Sequence, residues 1–161
     1  PKGSFYHYFK SKEQFGEALL DSYFADYQAR LEARLKSGQG SAAQRLLSYW
    51  TAWRETQSSE DAEGKCLAVK LGGEVCDLSE AMRNALHSGT TRIVAALAEC
   101  IDNGTRDGSL PATLDPRQTA QTLYSLWLGA TLLTKIRREP SAFDAALAAT
   151  LSLLSLPSPP R

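Results

Sequence analysis

Helix-start signals recur along this chain with almost nothing between them that reads as a strand, and this recurrence restricts the fold more than any other feature. Ser11 with Gln14, Ser41 with Gln44, Asp77 with Glu80 and Asp115 with Gln118 each supply the side chains of a capping box, and Pro116 falls where a first-turn proline is tolerated. Four helices are placed by their first turns alone. The first is expected over about 12–36 and ends at Gly38 and Gly40; the second, over about 42–56, carries Leu46, Leu47, Tyr49, Trp50 and Trp53. A brief helix over about 65–71 is expected to halt at Gly72-Gly73. The next, over about 78–102, places Met82, Leu86, Ile93, Val94, Leu97 and Ile101 at helical spacing and is expected to stop at Asn103-Gly104. Two more follow over about 116–137 and 141–154, and the proline-rich 157–161 reads as a frayed tail. The expected fold class is all-α.

The 161 residues suit one compact domain or a domain with a fragment attached, and 43% hydrophobic residues are enough for a core. With 18 basic and 18 acidic side chains the formal charge is zero, so any affinity for a polyanion must be local. No apolar run approaches the roughly 20 residues that cross a bilayer, and nothing at the start resembles a secretory signal. No membrane association and a cytoplasmic location are the expectation. Three cysteines without CxxC spacing argue against a disulfide framework.

The local basic character sits at the start. In Pro1-Lys2-Gly3-Ser4-Phe5-Tyr6-His7-Tyr8-Phe9-Lys10-Ser11-Lys12-Glu13, Phe5 and Phe9 share one helical face and can anchor the segment, which leaves Lys2, Ser4, Tyr6 and His7 pointing elsewhere. This run resembles the end of the helix-turn-helix in TetR-family transcriptional regulators, where the pattern closes the recognition helix and opens the long helix into the regulatory domain. The resemblance implies operator DNA as partner. Lys2, Gly3, Ser4, Tyr6 and His7 then map onto major-groove or adjacent backbone contacts, and Lys12 onto a phosphate contact at a helix N-terminus. A helix-turn-helix needs a supporting helix before the recognition helix, so the expectation is that the preceding helices are missing from this sequence. The resulting division is a helix-turn-helix remnant over 1–13, a sensing and dimerisation domain over 14–156, and a tail over 157–161.

In the penultimate helix, Leu123, Tyr124, Leu126, Trp127, Leu128, Ala130, Leu132, Leu133 and Ile136 cover more than one apolar stripe, and a helix apolar on two faces needs two partners. The last helix offers Ala145, Ala146, Ala148 and Ala149 for close approach. A two-fold homodimer built on the last two helices is the inference, which the TetR resemblance also implies.

Cys66 follows Gly64-Lys65 at the start of the short helix, where unpaired amides and a nearby cation stabilise a thiolate, so a depressed pKa is expected. Cys76 sits among Glu74, Asp77 and Glu80, whose charge disfavours its thiolate, and Cys100 on a core helix reads as structural. The Cys66 segment, the block 74–82 and Tyr124-Ser125-Leu126-Trp127-Leu128-Gly129-Ala130 resemble the NemR-type repressors, which respond to reactive electrophiles. By position, that resemblance makes Cys66 the sensing cysteine and Lys135 the lysine that can face it, with a reactive electrophile or oxidant as inducer.

A second expectation keeps the regulator and makes its inducer a non-covalent aromatic or cationic small molecule. Tyr49, Trp50, Trp53, Tyr124 and Trp127 are then the pocket, with core packing as their plain role. Catalysis has little to stand on: there are two histidines, His7 and His87, no zinc-ligand spacing, no phosphate-cradling glycine loop and no nucleophile elbow. A Cys66–His87 pair is the one enzymatic arrangement considered, and no metal or cofactor is implied.

Overall fold

A computed structural model describes residues 11–58 and 66–158. Among them are six helices and no strand: α1 (Lys12–Ser37), α2 (Ala42–Ser58), α3 (Leu67–Leu78), α4 (Glu80–Asp107), α5 (Pro116–Arg137) and α6 (Ser141–Leu153). The all-α expectation holds. Three of the four anticipated starts form as read. Ser11 Oγ accepts from the Gln14 amide at 3.1 Å, Ser41 and Gln44 close a reciprocal box at 2.9 and 3.3 Å, and Asp115 Oδ1 accepts from the Gln118 amide at 2.8 Å behind Pro116.

The fourth start is corrected. Ser79, not Asp77, caps α4, its hydroxyl accepting from the Met82 amide at 3.2 Å. Ser79 also ends α3, its own amide donating to the Val75 carbonyl at 3.0 Å, so one extended residue joins two helices. Asp77 lies inside α3 because Gly72-Gly73 does not halt that helix. A helical glycine costs about 1 kcal/mol against alanine, but Leu67, Leu71 and Val75 pack their side chains onto the core across the glycine pair and carry the helix through it.

A further correction concerns the end of α4, which runs past Asn103-Gly104 to Asp107 and closes on Gly108 at φ 78. Gly104 serves packing instead of termination. A Cβ there would lie 2.5 Å from Leu110 Cδ1, while the Leu110 amide donates to the Gly104 carbonyl at 2.9 Å, so the turn folds back onto the helix. Within this turn, Asp107 Oδ2 accepts from the Ala42 amide at 2.9 Å and Ser109 Oγ from the Ala43 amide at 3.1 Å. The end of α4 thereby satisfies the open amides at the start of α2. The Ser109 hydroxyl first, then the Ala42 and Ser109 amides, hold the Asp107 carboxyl below the usual carboxylate range.

The long helix α4 is the centre of the domain, in contact with α1, α2, α3 and α5, while α6 covers α5. The two long helices turn buried stripes inward: Leu20, Phe24, Leu31 and Leu35 on α1, and Leu86, Ile93, Leu97 and Ile101 on α4. At the α1–α4 crossing a Cβ on Gly89 would stand 2.2 Å from the Phe24 ring, so only glycine lets the helices approach this closely. Between α2, α5 and α6 the core is aromatic. Trp50 stacks on Trp127 at 4.9 Å, and Trp127 on Phe143 at 5.9 Å.

Candidate functional site

Cys66 is the N-terminal cap position of α3 and is buried, at 8% exposure. Its amide donates to Gln57 Oε1 at 3.1 Å, tying α3 to the end of α2, and its carbonyl accepts from the Lys70 amide at 3.1 Å. The thiol faces the first turn of its own helix. Burial pushes its pKa up, and the Val69 and Ala68 amides pull it down by less, so the expected depressed pKa is corrected: the stabilising amides are there, but desolvation outweighs them.

Four tyrosines share this environment. Negative charge at Cys66 raises the pKa of Tyr23 and Tyr27 on α1, of Tyr49 on α2 and of Tyr124 on α5, although burial is the largest cause for each. Tyr23 is pushed up to about 12. The Leu67 amide, next to Cys66, pulls the Tyr23 pKa down against that burial, so the first turn of α3 lies beside α1. Tyr27 and Tyr49 join hydroxyls at 2.6 Å. The buried Tyr124 hydroxyl has no partner among the described residues.

Lys135 is not brought to this cluster. It is exposed in the last turn of α5, and the influences acting on the Cys66 thiol are burial and the two amides. Cys76 is half-buried on α3, close enough to Arg83 to raise that guanidinium's pKa, behind the larger effect of Glu80. Arg83 also pairs with Glu80, so a cation stands where the sequence suggested only acidic neighbours. Cys100 is structural as read: it is buried, points Sγ at the Ala42 carbonyl at 3.5 Å, and desolvation pushes its pKa up to about 11. His87 is exposed on α4 while Cys66 is buried, so the structure forms no Cys–His pair.

Of the aromatic pocket candidates, Trp50, Trp127 and Tyr124 are core. Trp127 Nε1 donates to Thr150 Oγ1 at 3.0 Å, and Trp53 Nε1 to Thr131 Oγ1 at 2.9 Å. Trp53 and Tyr49 also line a cleft of ≈ 840 Å³ between α1 and α2, together with Tyr23, Tyr27 and Gln57. This cleft was missed in the sequence, yet a signal was present: Tyr23, Tyr27, Arg30 and Arg34 fall on one stripe of a helix.

Lys2, Gly3, Ser4, Tyr6 and His7 lie outside the described residues, as does Lys65. Lys12 is exposed at the first position of α1, beside the Ser11 cap. Leu132, Leu133 and Ile136 of α5 are exposed, Ile136 at 67%, as are Ala145, Ala148 and Ala149 of α6, the helix that packs on α5. Ala146 is instead in the core. Among the described residues no cluster of His, Cys, Asp and Glu is placed to hold a metal ion, and no helix is long and apolar enough to cross a membrane.

The described residues thus form a helical domain in which a buried thiol at the start of α3 lies near the tyrosines of α1. The family described as "Tetracyclin repressor-like, C-terminal domain" matches residues 42–150. The HTH-type transcriptional repressor NemR of Escherichia coli (strain K12) is 42% identical over 158 residues, 98% of this chain and 79% of that protein. The HTH-type transcriptional repressor DhaR of Mycobacterium sp. (strain GP1) is 35% identical, over 98% of this chain and 77% of its own length. The crystal structure of the reduced form of E. coli NemR superposes with a TM-score of 0.90 at 43% identity, covering 98% of this chain and 82% of that one. This chain belongs to the TetR family of DNA-binding transcriptional repressors. Its relatives regulate transcription, which points to a regulatory and not an enzymatic role.

Proposed function

We propose that this repressor leaves its operator when Cys66 is modified by an electrophile or oxidant. The observation that carries the reading is the seat of Cys66: a buried thiol at the first turn of α3, with the adjacent Leu67 amide near Tyr23 of α1. With N-ethylmaleimide, Sγ adds to the alkene and a proton is taken up at the neighbouring ring carbon. The adduct is bulky, and a packed interior does not accept added volume without backbone shifts. The first turn of α3 therefore moves out, Tyr23 loses packing beside Leu67, and α1 is loosened at its middle.

Because α1 begins at Lys12, directly after the basic run, its displacement is passed to the DNA-reading segment. A dimer must hold two reading heads about 34–36 Å apart to enter successive major grooves, so a small rotation of each α1 breaks the fit. The exposed apolar face of α5 and the alanines of α6 support a two-fold dimer through these helices. Ile136→Glu is expected to convert dimer to monomer in analytical ultracentrifugation. An unchanged dimer would place the interface elsewhere.

The raised thiol pKa keeps Cys66 protonated and slow at rest, so reaction proceeds through transient opening of the α3 first turn. A bond from oxidised Cys66 to Lys135 belongs to the same scheme as a later product, since the first turn of α3 must leave its seat before the two meet. In a Cys76→Ser background, a net loss of two hydrogens (about 2 Da) from the reduced intact mass after hypochlorite identifies that product, since the sulfenic acid gains one oxygen and then loses water as the S–N bond forms. The deciding experiment titrates operator binding of the full-length regulator against N-ethylmaleimide, in wild type and Cys66→Ser. Release by wild type alone is expected; equal release by both overturns the reading.

A further inference from the structure

The covalent reading does not use the cleft between α1 and α2, and its lining has a chemistry of its own. Its ≈ 840 Å³ falls within the roughly 300–1,000 Å³ of small-molecule sites. Tyr27, Arg30 and Arg34 form one wall; Arg45, Tyr49 and Trp53 form the other. Three guanidiniums line the cleft and no carboxylate does. Among the described residues none of the three forms an ion pair.

The arginines are not equivalent. Arg45 is committed to the backbone, its Nε donating to the Leu35 carbonyl at 2.7 Å and its Nη1 to the Gly40 carbonyl at 2.6 Å. Arg34 makes only two long bonds, both of 3.3 Å, to the Ser48 carbonyl and hydroxyl. Arg30 lies over the Tyr27 ring at 5.9 Å and donates no hydrogen bond among the described residues. A guanidinium laid on an aromatic face keeps its planar fork of donors available for a carboxylate. Next to these two forks stand the aromatic surfaces of Tyr49 and Trp53, whose rings meet edge to face at 6.0 Å.

We propose that this cleft binds an aromatic compound carrying an anionic group, such as an arylcarboxylate. The ring lies against Tyr49 and Trp53, and the carboxylate is taken by Arg30 and Arg34. A cationic ligand is disfavoured by the same three charges, which selects the aromatic and rejects the cationic half of the small-molecule expectation from sequence. Cys66 does not itself line the cleft, and the binding groups named do not include its thiol.

The test is calorimetric titration of the protein with 2-naphthoate, its neutral analogue 2-naphthamide and the cation 2-naphthylmethylammonium. Saturable binding of naphthoate at one per chain is expected, at least about tenfold tighter than the amide, since hydrogen bonds to charged groups contribute that much. Added salt weakens naphthoate more than the amide. Arg30→Gln and the Arg30→Gln/Arg34→Gln double variant are expected to lose affinity progressively, to about a tenth or less, with unchanged thermal unfolding. The single variant guards against loss of the Ser48 bonds. Cys66→Ser is expected to bind naphthoate as wild type does, which separates this site from the covalent one. Equal affinity for acid and amide, full affinity in the double variant, or no saturable binding overturns the proposal.

Discussion

Two halves of this domain are built from aromatic side chains to opposite effect. Between α2, α5 and α6 the tryptophans and Phe143 interlock in stacks, and two of three indole N–H groups end on buried threonines. Where α1, α2 and α3 meet Tyr124 of α5 the rings are phenols around a thiol, the Tyr124 hydroxyl is unpartnered among the described residues, and a cleft opens between α1 and α2. The stack has no group that titrates. The tyrosine–cysteine side consists of groups that do, each with its pKa raised mainly by burial. One half holds nothing that ionises, and the other is lined with groups that do.

Alkali should break the comparison first and most. Groups whose folded pKa is raised contribute stability that is whole below their unfolded values and is lost as pH rises towards the folded ones. For Cys66 and the tyrosines the ordinary values are 9.0 and 10.0, and Tyr23 rises to about 12, so stability is expected to fall from about pH 9 upward. Tyrosinate absorbance should appear together with unfolding, not before it. Smooth ionisation of all the tyrosines in a folded protein would contradict the burial argument.

The next effect belongs to the stack. Trp127→Ala should destabilise by about 3–5 kcal/mol in urea unfolding, the usual result of truncating a buried indole. Gly89→Ala, which forces Phe24 and α4 apart, is expected to cost about 1–3 kcal/mol. Thr150→Val keeps the shape but leaves the Trp127 indole unpaired, for a loss of about 1–3 kcal/mol. Smallest is Tyr124→Phe. Its hydroxyl has no partner, so removal should leave stability within about 0.5 kcal/mol of wild type or slightly higher. A large loss there would mean that the hydroxyl is bonded and that the two halves differ less than described.

What was legible in the sequence was what is decided locally. Ser11, Ser41 and Asp115 cap as read because a capping side chain reaches only three residues along its own chain. Where tertiary packing intervenes, local signals mislead. Asp77 lost its role to Ser79 because α3 ran on through two glycines, and Gly104 was a seat for Leu110 instead of a stop. The position of Cys66 at a helix start was readable; its raised pKa was not, because burial is set by α1, α2 and α5 together. For the same reason Lys135, paired with Cys66 by resemblance, is found exposed at the end of α5. The arginine cleft is a third case, since Arg30 and Arg34 share a stripe visible in the sequence while Arg45 joins them only after folding.

The central claim is that modification of Cys66 is felt in α1 and spares the stack. Hydrogen exchange read by mass spectrometry, in a Cys76→Ser background before and after one equivalent of N-ethylmaleimide, tests it directly. Faster exchange is expected over the start of α3 and around Tyr23 and Tyr27 of α1, with α5 and α6 unchanged about Trp127. A chain fully alkylated at Cys66 whose α1 exchanges as before would contradict the account.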